Sequence, residues 1–235
     1  MKILVSLFLW AVGITFFLFS FLVLVFCLVF LRRETTFGTA RRLFAIQIRL
    51  MGIRLRVTGR ENIDPAKTYL IMGNHQNLFD VFVVPTAIPL VFTGVEAAYH
   101  FSFPVWGTLI RKWGCIPIQR SNLEQAKKSL DQAARTLDSG LSIAILPEGH
   151  RTRTGRMDAF KKGPFHLAKN TRADILPFGI QGLYDFQKRG GIVLTPGRVE
   201  LHIGKPVPFE EYASLSVEEL RDLIFEKVRK LAGEA

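Results

Sequence analysis

Cysteine is nearly missing from the sequence. Among 235 residues only Cys27 and Cys115 occur, and the first lies in a long apolar run. No disulfide framework can be drawn, so a reducing, cytosol-facing setting fits the chain. The phosphate-cradling patterns G-x-x-x-x-G-K-[ST] and G-x-G-x-x-G are absent, which argues against a nucleoside triphosphate or a dinucleotide. No G-x-S-x-G elbow supplies a serine nucleophile. His75, His100, His150, His166 and His202 are scattered without ligand spacing, and neither C-x-x-C nor H-E-x-x-H is present, so no metal or other cofactor is expected. Acidic residues are scarce too: 20 stand against 31 lysines and arginines, for a formal net charge of +11. That excess favours negatively charged partners, namely nucleic acid, anionic lipid or a phosphorylated substrate. There is no internal repeat and no low-complexity tract, and the length suits one catalytic unit with an appendage.

Charge is absent altogether from Ile3 to Leu31. This run exceeds the roughly 20 residues that cross a bilayer as a helix, and it outlasts the apolar core of about 7 to 15 residues of a secretory signal. A straight helix of this length would measure about 43 Å at about 1.5 Å per residue, against a hydrocarbon core of about 30 Å. It must therefore tilt, protrude or break, and Gly13 and Ser20 mark places where one span could become a re-entrant hairpin. Eight arginines (Arg32, Arg33, Arg41, Arg42, Arg49, Arg54, Arg56 and Arg60) face only Glu34 in the following stretch. By the positive-inside rule they place the main domain on the cytoplasmic side. The stretch "TARRLFAIQIRLMG" suits a helix at anionic headgroups or an ordinary surface helix packed on the domain. The expected division is a membrane anchor over 1–31, a basic juxtamembrane segment over 32–60 and the main domain over 61–235.

Past Arg60, short apolar runs alternate with helical ones. "TYLIMG", "GCIPIQ", "LSIAIL" and "DILPFGI" read as strands. "DVFVVPTAI", "LEQAKKSLDQAARTLDSG" closed by Gly140, "GPFHLAKNTR" with Pro164 in its first turn, and "VEELRDLIFEKVRKLA" read as helices. "GIVLTPGRVELHIG" reads as a hairpin around "TPGR". The expected fold is α/β, a mixed and largely parallel sheet flanked by helices, with an N-terminal membrane-embedded helical segment. Ligands in such folds sit at the carboxyl ends of strands.

The stretch "GNHQNLFD" places His75 and Asp80 five positions apart, directly after one of these strands. Five residues along a helix rotate by about 140°, so a helix could not bring the two together. The intervening "QNLF" must turn, leaving Asp80 at a helix start where it can cap the helix and reach back to His75. A carboxylate on one ring nitrogen fixes the tautomer and frees the other nitrogen to take a proton. Histidine, with an ordinary pKa of about 6.5, suits that task near neutrality. Taken alone, the pair also fits a buried histidine bonded to a helix cap. A base needs a hydroxyl to deprotonate, and Cys115 reads as a small core residue, so the hydroxyl is assigned to the substrate. The strand-to-helix turn beside His75 is the physical candidate for N–H groups that stabilise an oxyanion.

A second constellation is "LPEGHRTRTGRMDAFKKG", where Glu148 and Gly149 open a loop that also carries Arg151, Arg153, Arg156, Lys161 and Lys162. Guanidinium forks bind phosphate oxygens, and glycine lets backbone N–H groups approach. A solvated basic loop has the same composition. Arg120, after "CIPIQ", is a third cation at a strand's carboxyl end.

In this order the blocks resemble those of the glycerolipid acyltransferase family typified by lysophosphatidic acid acyltransferases. Asn74, His75 and Asp80 are similar to its N-H-x-x-x-x-D block. Gly114, Ile116, Ile118 and Arg120 are similar to its G-x-I-x-I-x-R block; Pro147, Glu148, Gly149 and Arg151 to its P-E-G-T-R block; and "ILPF" around Pro177 to its last apolar-Pro block. The likeness runs from about Gly59 to Pro208, with two departures: His150 stands where Thr is common, and Asn77 where Ser is frequent. The resemblance implies a membrane enzyme whose His75, oriented by Asp80, deprotonates the hydroxyl of a lysophospholipid. That oxygen would attack the thioester of an acyl-CoA or acyl-carrier protein. It further implies that Arg120, Glu148, Gly149 and Arg151 position the acceptor's glycerol phosphate, with Asn74 and Lys161 as further substrate-binding candidates. Membrane lipid, the lysophospholipid acceptor and the acyl-thioester donor are then the partners, and nucleic acid is not among them. A hydrolase or transacylase on the same site, and a non-catalytic lipid binder, are the competing readings.

Overall fold

The computed structural model describes residues 1–119 and 123–234. In chain order the elements begin with α1 (Lys2–Phe30), α2 (Arg33–Leu50), β1 (Ile53–Thr58), β2 (Tyr69–Gly73), α3 (Asp80–Ala87), β3 (Phe92–Ala97), α4 (Pro104–Trp113) and β4 (Ile116–Ile118). They continue with α5 (Leu123–Asp138), β5 (Ser142–Ile145), α6 (Gly163–Thr171), β6 (Asp174–Gln181), α7 (Leu183–Phe186), β7 (Gly197–Ile203), α8 (Phe209–Tyr212) and α9 (Val217–Leu231). The sheet runs β1-β7-β6-β2-β5-β3-β4. All neighbours are parallel except β6 and β7. This is the mixed, largely parallel α/β architecture the sequence pattern calls for.

Burial explains why these segments are strands. β2 is buried at every position and β6 at all but its ends, as expected of central parallel strands covered on both faces. Their side chains divide by the two-residue period. Tyr69 and Ile71 join a core with α1, α2 and α3, whereas Leu70 and Met72 join one with α5, α6 and α9. Helices close with the signals the sequence carries: Gly140 after α5 has φ +84°, and Ser216 and Glu219 form a capping box at α9. β1, which lies inside the segment read as juxtamembrane, forms the sheet's edge beside β7.

One expectation is overturned. Residues 191–196 form no strand, so the hairpin around "TPGR" does not exist, and only its second half becomes β7. The segment is held instead by α1: Trp10 Nε1–H donates to the Ile192 carbonyl at 2.8 Å, and Ser6 Oγ accepts from Leu194 N–H at 2.9 Å. Thr195 N–H turns back to the Phe186 carbonyl.

Of the two forms open to the apolar run, α1 takes the single one: it is one continuous helix, unbroken at Gly13 and Ser20. Ser6, Gly13, Ser20 and Cys27 fall on its inward face at every seventh position, the period that keeps small residues along one packing seam. Gly13 permits close approach, since a β-carbon there would lie 2.1 Å from Met51 Sδ. Gln47 donates to the Gly13 carbonyl and Thr36 to the Cys27 carbonyl, fastening α1 and α2 into an antiparallel pair. The pair packs on the domain through Trp10 against Phe79, and Phe17 against Phe82 and Trp106. Its outer face keeps Leu4, Phe8, Phe19, Leu22, Phe26 and Phe30 exposed.

Candidate active site

Three adjacent parallel strands, β6, β2 and β5, deliver three loops side by side at their carboxyl ends. The central loop begins at Gly73, where a β-carbon would lie 2.3 Å from the Phe178 ring. Asn74 follows and is buried. Its Oδ1 accepts from Ile180 N–H at 2.7 Å and its Nδ2 donates to the Ile180 carbonyl at 2.9 Å. This two-point clamp ties the loop to β6 and leaves no amide group pointing at a ligand, so Asn74 is a positioning residue in this geometry.

The chain then turns through residues 74–79 before α3. His75 Nδ1 lies 2.5 Å from Asp80 Oδ2, and the same oxygen accepts from Gln76 N–H at 2.9 Å and Asn77 N–H at 3.1 Å. Asp80 does not cap α3. It is the first helical residue, no side chain caps the helix, and its carboxylate points back into the turn. The Asp80 side chain is 2 % exposed and the His75 ring 22 % exposed. With Nδ1–H donated inward, the ring presents Nε2 as its free lone pair. The N–H groups of Gln76 and Asn77 are held by Asp80, and that of Phe79 by Asn77 Oδ1. These three N–H groups therefore do not form the anticipated oxyanion hole.

The loop after β5 is anchored to His75 rather than loose. Glu148 is fully buried; Oε1 accepts from His75 N–H at 2.7 Å and Oε2 from Asp158 N–H at 2.9 Å. Burial pushes its carboxyl up to about 8, against the pull of those two donors. With both oxygens engaged by backbone, Glu148 braces the His75 backbone in this geometry. Thr152 N–H donates to the His75 carbonyl at 2.8 Å, and Lys161 N–H returns to the Pro147 carbonyl, closing the loop. Gly149 takes φ +76°, a left-handed turn that favours glycine. Arg151, partly exposed next to Thr152, and Lys161, exposed at the loop's far end, have no partner for their charged groups among the described residues. Arg120 lies outside the described residues. Burial pushes the Cys115 thiol up to about 11, which disfavours the thiolate form.

Sequence reasoning missed the third loop. Gln76 Oε1 accepts from Leu183 N–H and Tyr184 N–H, while Asn77 Nδ2 donates to the Leu183 and Gln187 carbonyls. Phe79 meets Phe186 edge-on at 4.9 Å. Tyr184 Oη–H donates to the Arg153 carbonyl, and Arg189 Nη1 to the Arg151 carbonyl at 3.0 Å. The only advance signal was two amides placed between the histidine and the aspartate.

The Acyltransferase family model matches residues 54–181. A 1-acyl-sn-glycerol-3-phosphate acyltransferase of Borreliella burgdorferi is 28% identical over 197 residues, covering 83% of this chain and 78% of the relative. The alpha form from Bos taurus is 29% identical over 190 residues, 78% of this chain and 64% of the relative. The crystal structure of the 1-acyl-sn-glycerophosphate acyltransferase PlsC from Thermotoga maritima aligns over 99% of this chain and 95% of its own, with a TM-score of 0.86 and 24% identity. It shares the fold. The family match spans more than half of the sequence and encloses both the His75–Asp80 turn and the loop that Glu148 fastens to it, and on that ground the chain belongs to the acyltransferase family.

Proposed function

We propose that the protein transfers a fatty acyl group from an acyl thioester, acyl-CoA or acyl-carrier protein, to the free hydroxyl of lysophosphatidic acid, giving phosphatidic acid for phospholipid synthesis. The observation that carries this reading is the His75–Asp80 contact, whose ring is partly exposed and whose backbone carbonyl is bonded by Thr152, the neighbour of Arg151 on the basic loop. His75 Nε2 takes the proton of the acceptor hydroxyl, and the oxygen attacks the thioester carbonyl. The tetrahedral intermediate expels the thiolate, which recovers the proton from the imidazolium. Asp80 stabilises that imidazolium. No acyl-enzyme forms and no cofactor takes part; the thioester carrier is a substrate. Arg151, with Lys161 and Arg120, holds the acceptor's phosphate, and Gly149 gives that loop its shape. The names of the relatives support the choice of acceptor.

The division into an anchor over 1–31, a basic segment over 32–60 and an acyltransferase domain over 61–235 belongs to the same proposal. One helix, α1, is long and apolar enough to cross a membrane. Its Ser6 accepts from Leu194 N–H of the domain, and its Cys27 carbonyl is held by Thr36 of α2. We therefore favour a seat in the bilayer through its outer face, with the domain on the cytoplasmic side where the arginine-rich segment meets anionic headgroups. Leu78, Tyr99, Phe103 and Ile192 are exposed apolar side chains on loops beyond the sheet and suit contact with lipid.

The test is transfer of radiolabelled acyl groups to lysophosphatidic acid in mixed micelles. The wild type should form labelled phosphatidic acid, and His75→Ala should fall to background with an unchanged circular dichroism spectrum. Label released as free fatty acid, or unchanged turnover by His75→Ala, would overturn the proposal.

A further inference from the structure

The loop between α7 and β7 belongs to none of the four sequence blocks, yet it reaches the site. Its base is fixed to the catalytic turn by Gln76 and Asn77, and Thr195 N–H and Ser6 Oγ hold its far end. It cannot drift from His75 without breaking those bonds. Near its tip Gly190 takes φ +76° and Gly191 N–H returns to the Lys188 carbonyl, a tight reversal that presents Lys188 and Arg189. Arg189 gives one guanidinium N–H to the Arg151 carbonyl, which stiffens the side chain and leaves its other donors directed elsewhere. Arg151, Arg153, Arg156, Lys161, Lys188 and Arg189 form no ion pair among the described residues. The acidic side chains near these cations are Glu148, whose oxygens are taken by backbone N–H groups, Asp158, which faces His150, Asp185 on α7, and Glu234, which accepts from Met157 N–H. The Arg189 contact brings its guanidinium to residue 151 on the basic loop, and like charges drawn together repel unless an anion neutralises them.

We infer that Arg189, whose guanidinium reaches the Arg151 backbone, is a further substrate-binding residue, supplying a second guanidinium to a site for a phosphate group. The inference rests on the acyl-transfer reading and deepens it. That phosphate is carried by the lysophosphatidic acid acceptor or by a CoA donor, and kinetics separate the two.

The experiment compares purified full-length wild type, Arg189→Ala, Arg189→Lys and the remote control Arg135→Ala in mixed micelles. KM is measured separately for lysophosphatidic acid and for acyl-CoA. Loss of charge-assisted hydrogen bonds at an exposed site should raise one KM about tenfold with kcat within about twofold, Arg189→Lys falling between. A rise confined to the acceptor assigns its phosphate, and one confined to acyl-CoA assigns the donor's. Both KM values within about twofold of wild type would overturn the inference, as would a variant whose only defect is weaker sedimentation with phosphatidylglycerol vesicles. A wild type that transfers no acyl group would instead sink the functional reading.

Discussion

Asp80→Asn is a sharp probe of the catalytic turn because the structure separates the shape of this side chain from its charge. Three N–H groups, from the His75 ring and the Gln76 and Asn77 backbone, converge on Oδ2, while Oδ1 is buried without a partner among the described residues. Asparagine can present its carbonyl oxygen to all three donors and place its NH2 where Oδ1 stood. The opposite orientation would set an NH2 against two backbone N–H groups. The turn and the Nδ1–H tautomer should therefore survive, and only the charge facing the imidazolium is lost. At about 4 Å and an effective dielectric of about 20, a unit charge pair is worth about 4 kcal/mol. Partial solvation of the ring lowers this to roughly 2–4 kcal/mol, and at about 1.4 kcal/mol per decade kcat should drop about 30- to 1,000-fold. KM should stay within about threefold and the melting temperature within a few degrees. Asp80→Ala, by contrast, orphans two buried backbone N–H groups at about 1–3 kcal/mol each and should lose several degrees as well as activity. Steady-state kinetics in mixed micelles, with thermal melts of both variants, decide it. Asp80→Asn with kcat within twofold of wild type, or melting as low as Asp80→Ala, would refute the reasoning.

Two further outcomes follow from the surrounding geometry. Burial raises the Glu148 carboxyl to about 8, so the folded protein keeps a proton there through a range in which the unfolded chain has released it. Stability should therefore fall as pH rises from about 5 to about 8, a slope that Glu148→Gln removes while its misplaced NH2 lowers kcat severalfold; an identical slope in melts of both proteins would contradict this. Gly73→Ala forces a β-carbon into the buried Phe178 ring and should cost about 1–3 kcal/mol, with much of the loss recovered in Gly73→Ala/Phe178→Leu. Thermal melts check it, and a single variant as stable as wild type would count against the packing argument.

Sequence reasoning recovered most of the fold because each element is written in local terms. β2 and β6 are continuous apolar runs, α5 ends at a glycine, and α6 carries Pro164 in its first turn. It was equally direct about His75 and Asp80, since their spacing excludes a helix and leaves a turn as the only way to bring them together. It failed where a long-range contact takes over a segment's backbone groups. Residues 191–196 read as half of a hairpin, yet their polar groups are engaged by Trp10 and Ser6 from the far end of the chain. For Gly13 and Ser20 local pattern left a break and a continuous helix both open, and packing on α2 and the domain makes them the small residues of a helix seam.

The sequence by itself therefore determined the α/β alternation, the apolar helix, the basic excess and the histidine–aspartate turn, because each depends on neighbours a few positions apart. Only the tertiary structure decided that Asn74 and Glu148 face the protein rather than a ligand, and that Gln76 and Asn77 tie the turn to a loop more than a hundred residues away. The physical reason is that a polar side chain's role is set by which donors and acceptors reach it. For a buried carboxylate or amide those partners come from strands adjacent in the sheet but remote in the chain.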